Sequence, residues 1–325
     1  MKAVPKELLD FIKAGKKFLV AGHKEPDGDC VGSQLALCSV LKRLGKEAIP
    51  CSAGPFKRTE VRPYEELFTA LPNEKDKAGA WVIITDCSSL ERCGDLESHL
   101  ENLPTAYIDH HHRGEDEEND SGPHYIDPAA PSVTLMILNL IRALGMETSK
   151  EEAEFLLFGL CTDTGFFRHG DEDSALSFEA AARLTYAGAS PKKIYMAIHG
   201  GKSLESRFLL GRILSRAESH FGGRLVLSTE EYEDTQIYGQ EGRDSDTLYQ
   251  LLLSISGVEA IVVIRQEKPD NCSVSFRSLD EVNVAVVAQS LGGGGHKNAA
   301  GLGIAGTIGE VKTKILDQFQ KIFSK

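Results

Sequence analysis

Short apolar runs alternate with helical patterns through the first half of the chain. Residues 17–22, 80–85 and 105–108 are mostly apolar and predict buried strands. Residues 31–44 carry apolar side chains three and four positions apart, which is typical of a helix. Further helices are predicted at 131–144, 149–160, 174–187 and 191–199. This alternation predicts an α/β domain with a mainly parallel sheet.

The pattern changes after the Gly-Gly-Lys-Ser segment at 200–203, so we predict a hinge at 199–204. Helices are then predicted at 204–218, 244–255, 282–291 and 307–323, and strands at 224–228, 258–266 and 272–277. The chain is therefore expected to form a first domain over 1–198 and a second, smaller α/β domain over 205–325.

Composition agrees with this division and narrows the function. A chain of 325 residues is long enough for about two domains. Its 36 Lys and Arg against 48 Asp and Glu give a net charge of −12. Long duplexes bind proteins mainly through Lys and Arg that neutralise phosphates, so this charge makes the chain a poor candidate for a sequence-reading DNA binder.

The cysteines and the apolar segments indicate a soluble, cytoplasmic protein. The seven cysteines are scattered and contain no CxxC pair, which argues against a disulfide framework or a zinc ribbon. The N-terminal segment has charges throughout and reads as an amphipathic helix, not a signal peptide. The most apolar window, 248–264, is interrupted by polar residues and is too short to span a membrane.

Four segments of the first domain place Asp or His after a predicted strand or at a helix end: 23–29, 85–87, 109–112 and 161–165. The carboxyl ends of strands in an open α/β sheet share one edge, so these residues are predicted to meet there. Aspartate and imidazole without thiolate suit Mn²⁺ or Mg²⁺, with Fe²⁺, Co²⁺ or Zn²⁺ as alternatives. The ligands are too many for one ion, which favours two.

Each aspartate taken alone has a simpler interpretation as a helix N-cap or a turn residue. Three consecutive histidines at 110–112 are harder to explain structurally, because a strand end gains nothing from three imidazoles. Two metal ions about 3.5–4 Å apart would activate a bridging water and stabilise an in-line displacement at phosphorus.

The motifs resemble those of a known family. H-x-x-P-D-G-D-x-x-G-S at 23–33, Asp86, D-H-H at 109–111 and T-D-T-G-x-F-R at 162–168 resemble, in order, the four motifs of the DHH phosphoesterases. GGGGHKNAAG at 292–301 resembles the glycine-rich signature of the associated DHHA1 domain. The resemblance implies a DHH catalytic domain, a DHHA1 substrate-binding domain and an active site in the cleft between them.

The resemblance also implies an activity. Without an accessory domain, the chain is similar in size to nanoRNase and pAp-phosphatase members. These degrade very short RNA exonucleolytically to 5′-mononucleotides and convert adenosine 3′,5′-bisphosphate (pAp) to AMP. Phosphodiesterase activity on pApA or cyclic dinucleotides, single-strand exonuclease activity and a nucleotide sensor without turnover are the alternatives. The acidic charge favours short substrates, and a homodimer is compatible with the sequence.

Roles for individual residues follow from the same resemblance. One metal ion is expected on His23, Asp27 and Asp86, and the second on Asp29, Asp86, His110 and Asp163. Mn²⁺ is the expected ion, with Mg²⁺ or Co²⁺ as alternatives, and a hydroxide bridging the two ions would attack phosphorus. His111 would face the scissile phosphate and Asp109 would orient the imidazoles. His112 receives no role.

The second domain is expected to bind substrate through the glycine run. Gly293, Gly294 and Gly295 can bring backbone N–H groups close to a phosphate, and His296 adds a donor. A flexible linker is the alternative interpretation of the glycines. Arg277, Ser278 and Arg168 are further candidate contacts, although Arg277 also fits a surface charge on a strand.

Three cysteines border the predicted ligands: Cys30, Cys87 and Cys161. A strand neighbour points to the opposite face, so each is expected to be a small buried apolar residue. The alternative hypothesis is that zinc or an oxidant inhibits the protein by recruiting one of them.

Overall fold

The computed structural model describes residues 1–111, 122–168, 174–240, 242–279 and 281–323. His112 lies outside these ranges. The chain separates into two compact units, Met1–Gly201 and Lys202–Lys325. Residues 199–204 span the junction, and their action as a hinge stays a prediction.

The first unit contains a five-stranded parallel sheet in the order β2-β1-β3-β4-β5. Its strands are β1 Lys17–Gly22, β2 Glu47–Cys51, β3 Trp81–Thr85, β4 Thr105–Asp109 and β5 His124–Ile126. The predicted parallel α/β domain is confirmed. The sequence pattern missed β2, which contains Pro50, and β5, which has only three residues.

Helices cover both faces of this sheet. They are α1 Lys6–Ala14, α2 Gly28–Arg43, α3 Glu74–Lys77, α4 Glu97–Leu100, α5 Val133–Ala143, α6 Lys150–Asp163, α7 Ser174–Tyr186 and α8 Pro191–His199. Phe18 and Val20 of β1 join the core formed with α2, α5 and α6, whereas Leu19 and Ala21 join a second cluster with Leu100 of α4. Burial on both faces explains why the strands of this sheet are nearly continuous apolar runs.

Close packing of α2 against α5 and α6 brings three chain segments together. A Cβ atom on Gly32 would lie 2.5 Å from the carbonyl oxygen of Phe155, and one on Gly159 would lie 2.4 Å from the Thr134 methyl carbon. Only glycine permits contacts this short. Glu152 of α6 is buried and accepts hydrogen bonds from Arg43 at 2.7 Å and Ser39 at 3.1 Å, which ties the far ends of α2 and α6 together.

The second unit contains a six-stranded sheet in the order β10-β11-β9-β8-β7-β6. Its strands are β6 Glu218–His220, β7 Leu225–Glu230, β8 Ala260–Lys268, β9 Asn271–Ser278, β10 Gly294–His296 and β11 Ala299–Ala305. Its helices are α9 Leu204–Ser215, α10 Tyr232–Tyr238, α11 Ser245–Leu253, α12 Val284–Ser290 and α13 Ile308–Phe323. β7 and β8 are parallel and the other pairs are antiparallel.

The second α/β domain is thus confirmed, with local differences from the sequence prediction. The helix predicted over 204–218 ends at Ser215, and Glu218–His220 pairs with β7 as a strand. The glycine run contributes an edge strand, β10, to the sheet. Among the described residues, no helix combines the length and the apolar character required to cross a membrane.

Candidate functional site

Three strand ends of the first unit carry the predicted site residues. His23 directly follows β1, Asp86 directly follows β3, and Asp109 is the last residue of β4, with His110 after it. The sheet order changes direction between β1 and β3, and open α/β sheets bind ligands at the carboxyl ends of strands beside such a point.

Helix ends supply the remaining acids. Asp27 caps α2, because its Oδ1 accepts hydrogen bonds from the N–H groups of Asp29 and Cys30, both at 3.1 Å. This cap starts the helix at Gly28, three residues earlier than the sequence predicted. Asp163 is the last residue of α6. Gly28 allows the two helix ends to meet, since a Cβ there would lie 2.4 Å from the Thr162 hydroxyl oxygen.

Asp86 lies between two imidazoles. Its Oδ2 is 3.4 Å from Nε2 of His23, and its Oδ1 is 3.6 Å from Nε2 of His110. Nε2 of His23 also lies 3.9 Å from Oδ1 of Asp27, and Nε2 of His110 lies 3.3 Å from Oδ2 of Asp163. The ligand atoms of Asp29, His110 and Asp163 all lie within 4.8 Å of one another. The structure therefore brings all six predicted metal ligands into one cluster.

Backbone carbonyls orient both imidazoles. The Nδ1 atom of His23 is 2.8 Å from the carbonyl oxygen of Lys24, and Nδ1 of His110 is 3.1 Å from that of Ala130. A carbonyl oxygen only accepts, so Nδ1 carries a hydrogen in each ring and Nε2 is the atom that faces the carboxylates, where it can bind a metal ion once it carries no proton. Ligating histidines in proteins are held in this way.

The buried Asp86 has one carboxylate oxygen without a hydrogen-bond partner among the described residues, where a bound cation would take the place of that partner. Its side chain is 2% exposed, and Oδ1 receives no hydrogen bond from the described part of the chain. Its backbone has φ of +63°, a conformation that aspartate tolerates better than most residues. A buried, unpartnered carboxylate oxygen is costly unless a positive charge compensates it. The oxygen and imidazole donors present are those that divalent Mn²⁺, Mg²⁺ or Zn²⁺ accept.

Asp29 is held by the start of α5. Its Oδ2 accepts a hydrogen bond from the N–H of Val133 at 2.6 Å, and its Oδ1 accepts one from Thr134 at 2.9 Å. The partial positive charge of a helix N-terminus favours a carboxylate at this position. Both oxygens keep further lone pairs, so the fixed carboxylate remains able to bind a metal ion.

Asp109 orients His111. Its Oδ1 accepts a hydrogen bond from Nδ1 of His111 at 2.8 Å and another from the His111 backbone N–H at 3.2 Å. Burial alone would raise the pKa of Asp109, but these bonds lower it. Asp109 is buried, whereas the His111 side chain is 43% exposed. The hydrogen bond to Asp109 thus fixes the Nδ1 side of the His111 ring, while part of the side chain stays exposed.

Burial perturbs the acids of the cluster strongly. It raises the pKa of Asp163 to about 7, and the nearby charge of Asp29 adds to the shift. It also raises the pKa values of Asp29 and Asp86. Burial disfavours protonation of His110, yet the surrounding carboxylates outweigh it and raise the pKa of His110. Without a cation, the cluster therefore retains protons that a metal ion would displace.

In the second unit, strand register places two of the predicted substrate contacts on one face. Arg277 pairs with Ala299, which in turn pairs with His296, and direct partners in antiparallel strands share a face. The Arg277 guanidinium carbon lies 4.5 Å from the centre of the Tyr249 ring. The opposite face, with Phe276 and Ala300, packs into the core.

Packing requires glycine at two positions of the run at 292–295. A Cβ on Gly293 would lie 2.4 Å from the Leu302 side chain, and one on Gly295 would lie 2.5 Å from the Ala299 carbonyl oxygen. Glycine is therefore needed for β10 to pair with β11. Gly294, Gly295 and His296 are nevertheless exposed along the sheet edge, so their role in binding a phosphate stays a prediction.

Two other predicted contacts are placed differently. Ser278 is buried on the core face, away from Arg277, and its hydroxyl donates to the carbonyl oxygen of Val282 at 2.6 Å. Arg168 belongs to the first unit, where it is exposed and its Nε donates to the carbonyl oxygen of Gly165 at 2.8 Å.

Sequence reasoning missed Arg58 and Tyr249. The Nη2 atom of Arg58 lies 3.9 Å from Oδ2 of Asp27, and its side chain is 58% exposed. Arg58 follows β2, so recognising that strand would have placed it at the same edge of the sheet as Asp86. Tyr249 and Arg277 are distant in sequence and meet only in the folded chain, so no local sequence pattern indicates their contact.

The three cysteines near the motifs, Cys30, Cys87 and Cys161, differ in what surrounds their sulfur atoms. The sulfur of Cys30 belongs to a group with the ligand atoms of His23 and Asp86, all within 4.8 Å of one another. Cys87 lies 3.9 Å from Cys93, sulfur to sulfur, in a core cluster, and Cys161 is buried in the main core. Of the three, only Cys30 has its sulfur grouped with potential metal ligands among the described residues.

Comparison with known proteins agrees with this geometry. Residues 17–160 match the model of the DHH family, N-terminal domain, and residues 234–325 match that of the DHHA1 domain. The chain is 34% identical over 289 residues to the bifunctional oligoribonuclease and PAP phosphatase NrnA of Thermus thermophilus. The alignment covers 88% of this chain and 84% of that relative.

Two other similarities differ in extent. The chain is 25% identical over 345 residues to the cyclic-di-AMP phosphodiesterase GdpP of Bacillus subtilis, covering 98% of this chain but only 50% of that relative. A solved exopolyphosphatase-related protein from Bacteroides fragilis has a TM-score of 0.80 at 21% identity, covering 98% of this chain and 96% of the other. This last likeness shows the fold.

We predict that the metal-free protein loses thermal stability as the pH rises from 5 to 8. The pKa of Asp163 is about 7 in the folded chain against 3.8 for the free side chain, so the folded state binds this proton more tightly. The unfolding free energy therefore falls as pH rises through this window. A fall in Tm of about 5 °C is expected, measured by thermal unfolding in a chelator.

Saturating Mn²⁺ should raise Tm more at pH 8 than at pH 5, because fewer protons then compete for the ligands. Asp163→Asn is the control: its metal-free Tm should depend less on pH than that of the unmodified chain. A metal-free Tm with the same pH profile in both proteins would contradict the assignment of this proton to the cluster.

Proposed function

Because the chain belongs to the DHH family of phosphoesterases, we propose that it hydrolyses short oligoribonucleotides to nucleoside 5′-monophosphates and pAp to AMP. The observation that carries this proposal is the cluster around Asp86, where two histidines and four buried or half-buried aspartates converge at the strand ends. Similarity over most of both chains to a relative named for both activities supports the choice of substrates.

We assign His23, Asp27 and Asp86 to one divalent cation and Asp29, Asp86, His110 and Asp163 to a second. Mn²⁺ is the ion we favour, because the donors are carboxylate and imidazole, with Mg²⁺ or Co²⁺ as alternatives. Such a pair, when bound, lowers the pKa of water and neutralises the negative charge of the reacting phosphate.

The residues around the cluster have separate tasks. We assign His111 to donate a proton to the ribose oxygen that would leave phosphorus as water adds to it. The buried Asp109 holds the His111 ring through its hydrogen bond to Nδ1, and we assign it the role of orienting this imidazole. Arg58 lies beside Asp27 with most of its side chain exposed, so we assign it to a phosphate oxygen of the substrate.

Substrate binding by the second unit remains part of the proposal. Arg277 is the best-supported contact, because its guanidinium lies over the Tyr249 ring and strand register puts it on the same face as His296. His296 and the exposed backbone of Gly294 and Gly295 provide further donors. Arg168 and Ser278 stay predicted substrate contacts, and their hydrogen bonds to backbone carbonyls do not add to that prediction.

The net charge bears on the length of the substrates, and the cysteines bear on the cellular compartment. With 48 acidic against 36 basic residues, the chain is unsuited to holding a long duplex. We therefore propose single-stranded RNA of a few nucleotides, dinucleotides and pAp as substrates. All seven cysteines are free thiols, which fits action in the reducing cytoplasm.

A second candidate activity is hydrolysis of a cyclic dinucleotide. It is favoured by the similarity to a relative named cyclic-di-AMP phosphodiesterase, of which this chain spans half the length. The same cluster could act on either substrate, so turnover must decide between them.

A turnover panel tests the proposal. With Mn²⁺, we expect rapid release of nucleoside 5′-monophosphate from pGpG and a 5-mer RNA, and of AMP from pAp, as measured by chromatography. A 20-mer RNA and cyclic di-AMP should react more slowly. Asp86→Ala should lose about a thousandfold or more in kcat, since both proposed cations depend on it. Fastest hydrolysis of the 20-mer would refute the short-substrate proposal, and fastest hydrolysis of cyclic di-AMP would favour the second candidate.

Arg277→Ala should raise KM for the 5-mer about tenfold, equivalent to about 1.4 kcal/mol of binding, and change kcat little. The reason is that Arg277 is proposed to bind substrate without taking part in the reaction. Lys314→Ala, which removes one exposed positive charge from α13, is the matched control. An equal KM in the two variants would remove Arg277 from the binding site.

A further inference from the structure

Cys30 is a nucleophilic group at the site that the proposed reaction does not use. Its sulfur and the ligand atoms of His23 and Asp86 all lie within 4.8 Å of one another. The residue is fully buried in the first turn of α2, directly after Asp29. The Asp86 carboxylate of this group is 2% exposed; its Oδ2 faces His23 at 3.4 Å, and its Oδ1 receives no hydrogen bond from the described residues.

Packing fixes the position of this sulfur. A Cβ atom on Gly22, at the end of β1, would lie 2.3 Å from it, so the glycine makes room for the thiol. On another side, the thiol donates to Oε1 of Gln34 at 3.5 Å. Gln34 is itself immobilised, because its Nε2 donates to the carbonyl oxygens of Val20 and Cys51, both at 2.9 Å.

The spacing of the other two donors matches a tetrahedral ion. Zinc bonds of about 2.0–2.2 Å to nitrogen and oxygen hold those atoms about 3.4 Å apart at a tetrahedral angle. Nε2 of His23 and Oδ2 of Asp86 are 3.4 Å apart. The His23 ring is already oriented with Nε2 inward by the carbonyl oxygen of Lys24. One nitrogen, one oxygen and one sulfur with a fourth position open is a donor set that zinc accepts.

We propose that Cys30, together with His23 and Asp86, forms a site for a thiophilic divalent cation such as Zn²⁺, and that this ion inhibits turnover. On binding, the thiol proton passes to solvent and the sulfur bonds to the metal. Mn²⁺ prefers oxygen and nitrogen donors, so the sulfur favours zinc over the proposed working cation. The inhibition rests on the proposed function, whereas the binding does not.

Cobalt spectroscopy tests the binding. Co²⁺ added to the unmodified full chain should produce a sulfur-to-cobalt charge-transfer band in the near ultraviolet, and excess Zn²⁺ should abolish it. Cys30→Ala and Cys30→Ser should both lack the band. The serine variant is included because it preserves the side-chain volume if the alanine variant folds poorly. Cys272→Ala, which removes a buried thiol from the second unit, should keep it. Absence of the band from the unmodified chain, or its persistence in both Cys30 variants, would overturn the proposal.

Inhibition is measured separately with pGpG at fixed Mn²⁺. The zinc concentration for half inhibition should rise about tenfold or more in Cys30→Ser relative to Cys272→Ala, as expected for a lost ligand. Equal zinc sensitivity in the two variants would overturn the inhibitory role. If the unmodified chain shows no Mn²⁺-dependent turnover, the proposed function fails, while the cobalt band still decides whether Cys30 binds metal.

Discussion

The buried carboxylate of Asp86 is the group on which the rest of the site depends. It follows the central strand β3, adopts a positive φ, and directs one oxygen toward His23 and the other toward His110. Inside the protein such a carboxylate is unfavourable unless a positive charge compensates it. The two imidazoles and the neighbouring acids are arranged so that divalent cations can supply that charge. The stability and the proposed chemistry of this region are therefore linked through one side chain.

The fold around Asp86 is organised to bring distant segments to that point. Gly32 and Gly159 let α2 and α6 approach closely, and the ligand atoms of Asp29, Asp163 and His110 lie within 4.8 Å of one another. The start of α5 then fixes Asp29 by two backbone hydrogen bonds. None of these contacts involves the reacting atoms. They position the acids and leave His111, held by Asp109, as the exposed imidazole.

Much of the site was predictable because its residues follow strong local signals. Apolar runs identify β1, β3 and β4; the Asp-Gly-Asp segment comes shortly after β1, and the Asp-His-His segment begins at the last residue of β4. The rest depends on contacts between residues distant in sequence. β2 contains Pro50 and was not recognised, so Arg58 was not placed near Asp27. The burial of Ser278 on the core face follows from strand register, and the contact of Tyr249 with Arg277 follows from helix packing, which a single sequence does not specify.

The central claim is that two divalent cations share Asp86, and the number of bound ions tests it most directly. Equilibrium dialysis against Mn²⁺ followed by elemental analysis should find two ions per unmodified chain and two in Asp95→Asn, which neutralises an exposed carboxylate of the same unit. Asp86→Asn should retain fewer than one ion at the same free Mn²⁺ concentration. A single ion in the unmodified chain, or two ions retained by Asp86→Asn, would contradict the account.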